Sequence, residues 1–227
     1  MREIILDTET TGLDPLTGHR VVEIGAVELF NHLPTGKTYH VYINPNRDMP
    51  REAEAVHGLS SEFLKDKPRF EAIADEFLEF ISDSMLIIHN ASFDIGFLNA
   101  ELGFAKKPTL HYDRVIDTLA LAKKRHPLGS NSLDALCKRY GIDVTKRTKH
   151  GALLDSDLLA GVYLELIGGR QIALTLPKAN NVSRLPVATA VQHASRPHPL
   201  PERITPAERD THHKMVESLG AAALWKQ

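Results

Sequence analysis

Asp7 and Glu9 stand two residues apart at the end of an apolar run, Ile4-Ile5-Leu6. If that run is a buried strand, side chains two apart point to the same face, so the two carboxylates lie side by side. Each then raises the other's pKa unless positive charge sits between them. A divalent cation is the usual solution, and oxygen donors suit magnesium or manganese. The plain alternative is a polar strand end running into a turn at Thr10-Thr11-Gly12.

Two further acids are spaced so that they can join the pair. Asp94 follows a second apolar run, in His89-Asn90-Ala91-Ser92-Phe93-Asp94, on the first turn of an expected helix. Asp155 closes His150-Gly151-Ala152-Leu153-Leu154-Asp155, in the first turns of another. Taken singly, each is equally well explained as an acid interacting favourably with a helix N-terminus, and His150 as a helix-entry residue. Together, four carboxylates at the ends of elements are what a two-metal site needs. Two divalent ions about 3.5–4 Å apart activate a water and stabilise the leaving oxygen of a phosphodiester. His150 precedes Asp155 by five residues and would overhang the ions. An imidazole of pKa near ~6.5 suits removal of a proton from water at neutral pH.

The elements that must deliver these groups read as an α/β domain. Residues 21–30 alternate as a strand, 31–36 form a turn, and 37–43 a β-rich return strand. With the first run they make an antiparallel meander. Residues 52–57 form a short helix ended by Gly58, and 60–65 another. Phe70, Ile73, Ala74, Phe77, Leu78 and Ile81 recur with helical period over 69–82. A buried strand at 85–89 leads into a helix at 92–103, with Phe93, Gly96, Phe97 and Ala100 on one side. A short strand follows at 114–118, then helices at 119–125 and 132–140, the latter capped by Asn131 or Ser132. A long helix at 152–167 stops at Gly168-Gly169. The pattern implies a mixed central sheet flanked by helices.

Composition changes after residue 169. Prolines at 177, 186, 197, 199 and 201, with few large apolar residues, mark 170–201 as a flexible linker. Thr205-Pro206-Ala207-Glu208 is a capping box with proline at the first helical position. A helix to about residue 219 follows. Met215, Leu219, Leu224 and Trp225 are too few for a core, so 202–227 reads as a tail that docks on a partner.

The totals bound the rest. The chain has 227 residues, 42% hydrophobic and 25% charged, as in an ordinary globular protein. A formal net charge of −2 gives no global pull toward polyanions, so a nucleic acid would have to be held locally or through metal ions. The single cysteine, Cys137, lies in an apolar helical pattern and reads as a core thiol in a reducing compartment. The first strand begins at once, leaving no room for a signal peptide, and no apolar run approaches membrane-spanning length; the expectation is a cytoplasmic protein. His193, His198, His212 and His213 match no closed zinc site.

The runs Asp7-Thr8-Glu9-Thr10-Thr11-Gly12, His89–Asp94 and His150–Asp155 resemble the three exonuclease motifs of the DEDD superfamily, and a histidine five before the last acid marks its DEDDh branch. Within that branch, Asn131-Ser132-Leu133-Asp134-Ala135-Leu136-Cys137 and Lys146-Arg147-Thr148 resemble the proofreading epsilon family of bacterial DNA polymerase III. The similarity covers roughly residues 2–169. It implies an RNase H-like fold and 3′→5′ removal of nucleotides as 5′-monophosphates. It implies that Asp7, Glu9, Asp94 and Asp155 hold two Mg²⁺ or Mn²⁺ ions and that His150 is the general base. It also implies substrate contacts from Thr10, Gly12, Leu13, Glu52, Val56, His57 and Phe93, besides Asp7, Glu9, His150 and Asp155. Val56 and Phe93 equally suit core positions, and Glu52 a solvated helix face. Gln171-Ile172-Ala173-Leu174-Thr175-Leu176 resembles hexapeptides that bind the sliding clamp through Gln171, Leu174 and Leu176, though its leucines also suit packing against the domain. The tail at 202–227 implies docking on the polymerase alpha subunit, and a small theta-like subunit is a further implied partner. Two other readings remain open at this point: a DEDDh RNase trimming RNA 3′ ends, and a non-catalytic bridge between polymerase and clamp.

Overall fold

A computed structural model describes residues 1–145, 149–168 and 204–219. The chain divides into two units, Met1–Leu174 and Thr175–Gln227. The first opens with β1 (Arg2–Thr10), β2 (Val21–Phe30) and β3 (Leu33–Tyr42), then α1 (Arg51–His57), α2 (Ser61–Leu64) and α3 (Phe70–Ile81). It continues as β4 (Met85–Ile88), α4 (Ala91–Phe104), β5 (Val115–Asp117), α5 (Thr118–Arg125), α6 (Leu133–Tyr140) and α7 (Ala152–Leu166). The five strands lie in the order β3-β2-β1-β4-β5. β1, β2 and β3 pair antiparallel, whereas β4 joins β1 and β5 joins β4 in parallel.

Alternation along β1 sends Ile4 and Leu6 to one face and Ile5 to the other. The first face packs with Phe70, Phe77, Ile95 and Leu98 of α3 and α4. The second packs with Leu136, Leu159 and Val162 of α6 and α7, and Cys137 is buried there. Helices thus cover both faces of the sheet, the mixed RNase H-like arrangement expected.

Two local expectations are corrected. The turn predicted over 31–36 is a two-residue hairpin connection: Asn31 and His32 have φ of 50° and 66°, and β3 begins at Leu33. Asparagine tolerates that left-handed region, and paired positive φ values match the twist of a hairpin. The inner face of α4 is Ala91, Asp94, Ile95, Leu98, Glu101 and Leu102, with Phe97 buried beside it and Gly96 exposed. Buried Glu101 takes a bidentate pair from Arg20 at 2.7 and 2.6 Å, so a charged residue occupies a core-facing position. At α6 the cap is Ser132, whose hydroxyl accepts from the Ala135 N–H.

The second unit, described by itself, contains α8 (Pro206–Ser218). Its capping box is formed: the Thr205 hydroxyl accepts from the Glu208 N–H, and Glu208 accepts from the Thr205 N–H at 2.8 Å. No residue of α8 is buried. Lys146-Arg147-Thr148, the linker with Gln171, Leu174 and Leu176, and Leu224-Trp225 lie outside the described residues.

Candidate active site

β1 pairs with β2 over its whole length but with β4 only from Glu3 to Ile5. Past Ile5 the strand therefore borders a crevice at the carboxyl ends of β1 and β4, where open α/β sheets bind ligands. Asp7 and Glu9 sit on that free stretch, on the face covered by α7. The register slips between Glu9 and Thr10, an irregularity that re-aims the next side chains.

Asp94 arrives from the other face. Asn90, in the left-handed region at φ 63°, turns the chain from β4 into α4. This brings Asp94, one turn later, back to β1, where its Oδ1 accepts from the Thr8 N–H at 3.1 Å and the Thr8 hydroxyl at 2.7 Å. Asp155 arrives with α7. A Cβ on Gly25 would fall 2.1–2.4 Å from backbone atoms of Ala152 and Leu153, so only glycine admits the helix start this close to the sheet. The Ser156 hydroxyl fastens it by donating to the Gly25 carbonyl at 2.8 Å. Gly25 is the cross-strand partner of Asp7, which sets the first turn of α7 over the pair on β1.

The electrostatics are those of crowded acids. Burial, then the charges of Asp94, Glu9, Asp155 and Glu23, hold the Asp7 carboxyl well above the usual carboxylate range. Burial pushes Asp94 up to about 7 against the lowering effect of its Thr8 and backbone hydrogen bonds. His150 approaches from the loop before α7, with Nδ1 3.2 Å from Asp155 Oδ2. Glu9, His150 and Asp155 each offer a ligand-type atom within 4.8 Å of the others. Carboxylates that raise one another's pKa, with oxygen donors and one imidazole, fit hard divalent cations.

A groove of about 640 Å³ opens at Glu9. Thr10, Gly12, Leu13, Glu52, Val56, His57 and Phe93 all line it, with Thr8 and Glu9 at its base. Leu13 is 85% exposed and Val56 50%, so the core reading of Val56 is ruled out. Phe93 is half-buried: it leans on Phe97 at 4.9 Å between centroids and also faces the groove. Glu52 is exposed at the rim, and His57 is buried, its Nδ1 accepting from the Leu59 N–H at 3.0 Å. The Thr10 hydroxyl donates to the Gly12 carbonyl at 2.6 Å.

Three contributors escaped the sequence reading. Thr8, between the two acids and on the opposite face, anchors Asp94. His19 lies over Gly12, where a Cβ would meet its ring at 2.3 Å, and bonds the Thr11 hydroxyl at 3.1 Å. Glu23, opposite Glu9 on β2 and 3% exposed, adds a fifth carboxylate held by His40 Nε2 at 2.7 Å. An acid inside the apolar run Val21-Val22-Glu23-Ile24 was the available signal.

A family model described as an exonuclease of the RNase T type matches residues 4–163. The DNA polymerase III subunit epsilon of Rickettsia conorii is 60% identical over 179 residues, covering 78% of each chain. Its Salmonella typhimurium counterpart is 44% identical over 237 aligned residues, covering 99% of this chain and 97% of that one. Among solved structures, Exonuclease X in complex with 5′ overhanging duplex DNA is 25% identical with a TM-score of 0.57, covering 73% of this chain and 90% of that one. The nuclease domain of 3′hExo, a DEDDh family member bound to rAMP, shares the fold at 17% identity and a TM-score of 0.64, covering 73% and 91%.

Proposed function

This chain belongs to the exonuclease family of DNA polymerase III epsilon subunits, and from that premise we propose that it removes mispaired nucleotides from DNA 3′ ends at the crevice beside β1. The observation that carries this reading is the convergence of Asp7, Glu9, Asp94 and Asp155 with His150, from three separate parts of the chain, at one end of β1. The family is metal-dependent. Two Mg²⁺ or Mn²⁺ ions held by the four carboxylates would supply positive charge for the scissile phosphate and lower the pKa of water. Thr8 keeps the Asp94 carboxylate on the crevice, and Gly25 and Ser156 keep Asp155 there. The His150 imidazole takes the proton of the attacking water, oriented by its contact with Asp155. Leu13, Val56 and Phe93 enclose the terminal base and sugar by apolar contact, which every base can make, so little sequence choice results. Mispaired ends are selected because they unpair at lower cost.

Polymerase association is read from 202–227, where Ile204, Met215 and Leu219 are exposed within their own unit. Clamp binding by Gln171, Leu174 and Leu176, and a theta-like partner, belong to the same reading, with 170–201 as the tether that raises local concentration at the primer end. The RNA-trimming and purely bridging alternatives are weaker: the relatives at 60% and 44% identity are polymerase subunits, and the acids and His150 are all present.

The test is a 5′-labelled single-stranded oligodeoxynucleotide with Mg²⁺. The expected result is a ladder shortening from the 3′ end with release of nucleoside 5′-monophosphates. Internal cuts, or 3′-monophosphates, would contradict it. His150→Ala should lower kcat by about 10²–10⁴ while calorimetry finds Mn²⁺ affinity unchanged; lost affinity would make His150 a ligand instead.

A further inference from the structure

A second open cavity, of about 730 Å³, lies beside the N-terminus of α4. His89 and Asn90 line it from the end of β4, Lys123 from α5, and Gly129, Asn131 and Ser132 from the connection into α6. The first turn of α4 serves both cavities, giving Phe93 to the nucleotide groove and Asn90 to this one. Asn90 precedes Asp94 by one helical turn, about 6 Å along the axis at ~1.5 Å per residue. The Asn90 N–H donates to Asp117 Oδ1 at 3.1 Å, which ties this end of α4 to β5. The cavity therefore opens at the helix start that carries Asp94.

Its chemistry differs from that of the first groove. Both have apolar walls, from Leu13, Val56 and Phe93 in the groove and from Leu119, Pro127 and Leu133 here, but this one adds an ammonium, two amides and a hydroxyl, with no carboxylate among its lining residues. The last turn of α5 carries Lys123, Lys124 and Arg125. Arg125 is committed to the α7 C-terminus, donating to the Glu165 and Leu166 carbonyls at 2.8 and 2.9 Å. Lys123 is exposed and borders the cavity. A strand gripped by its terminal nucleotide must carry its next phosphates past the acids. With a net charge of −2, the protein has no general field to hold them.

We propose that this cavity holds the phosphodiester backbone just upstream of the scissile linkage of single-stranded DNA, with Lys123 paired to a phosphate. The assignment rests on the exonuclease reading above. It makes the site one of chain-length recognition: longer substrates bind better without turning over faster.

The test uses the full chain and an oligodeoxynucleotide carrying one neutral methylphosphonate at the linkage upstream of the scissile one. Lys123→Gln should raise KM for the all-phosphate strand several-fold with kcat little changed, and Lys123→Arg should restore it. Combining Lys123→Gln with the neutral linkage should add nothing, because both delete one interaction. The logarithmic salt dependence of binding, read by fluorescence anisotropy, should flatten by about 0.7 for the lost phosphate contact. Independent multiplication of the two effects, or an unchanged salt slope, would overturn the proposal. Absence of any Mg²⁺-dependent trimming by the unaltered protein would instead strike the exonuclease reading, and anisotropy would still decide the role of Lys123.

Discussion

The two ends of the β1–β2 pair both bury acids, yet they differ in what surrounds them. At the far end, Glu3 accepts from the Tyr163 hydroxyl at 2.8 Å and the His32 N–H at 3.2 Å. Glu28 is held by Arg2, by the Thr35 hydroxyl at 2.9 Å and by Lys37 at 3.4 Å. Burial works to raise Glu28, but the bonds from Arg2 and Thr35 and the charges of Arg2 and Lys37 outweigh it, and its pKa falls. At the crevice end, burial and the neighbouring acids act together on Asp7, and its pKa climbs. Burial of a carboxylate is thus no mark of function by itself; the sign of the charge around it separates a structural acid from one kept for a cation.

The contrast breaks most sharply under substitution. Asp7→Asn should remove nuclease activity by several orders of magnitude and, at pH 8 without metal, raise Tm by relieving repulsion. Glu3→Ala should do the reverse: it leaves the Tyr163 hydroxyl without its acceptor, costing about 1–3 kcal/mol, while kcat per folded molecule stays near that of the parent. Paired thermal melts and rate measurements decide, and equal effects at both ends would erase the distinction. Gly25→Ala comes next. Overpacking should cost about 1–3 kcal/mol, and the activity loss should exceed what that predicts, because α7 carries Asp155 away from Asp7.

The pH dependence should differ in sign between the two ends. Asp7 and Asp94 have raised folded pKa values, so their contribution is fully present below the usual carboxylate range. It is lost as pH climbs from about 4 toward the Asp94 value of about 7. The lowered Glu28 contributes above its ordinary value of 4.5 and loses that contribution as pH falls. Metal-free protein should therefore lose crevice stability toward neutral pH, and the Tm gain on adding Mg²⁺ should be larger at pH 8 than at pH 5.5. A pH-independent gain would contradict this. The smallest effect is expected at the groove lip: Leu13→Ala should raise KM a few-fold and change stability by no more than about 0.5 kcal/mol.

Much of this was legible because spacing and chemistry coincide. The residues of α3 follow a period of 3.6, and the capping box before α8 names its own helix start; β2, expected to alternate, is instead buried on both faces over nine residues. The acids Asp7, Glu9, Asp94 and Asp155 were legible as a set because each sits toward the end of a strand or at the start of a helix. The face of α4 was not, since Asp94 and Glu101 occupy core-facing positions and blur its period. The hairpin at Asn31-His32 carried no glycine to announce it. His19 acts by folding its loop back onto Thr11 and Gly12, which local period does not encode, whereas Glu23 left a signal as an acid inside an apolar run.

The most direct measurement of the central claim is anomalous diffraction from crystals of this protein soaked in Mn²⁺. Two peaks about 3.5–4 Å apart, within coordination distance of Asp7, Glu9, Asp94 and Asp155, are predicted. Peaks confined to Glu23 and His40, or no peak at the crevice end of β1, would contradict it.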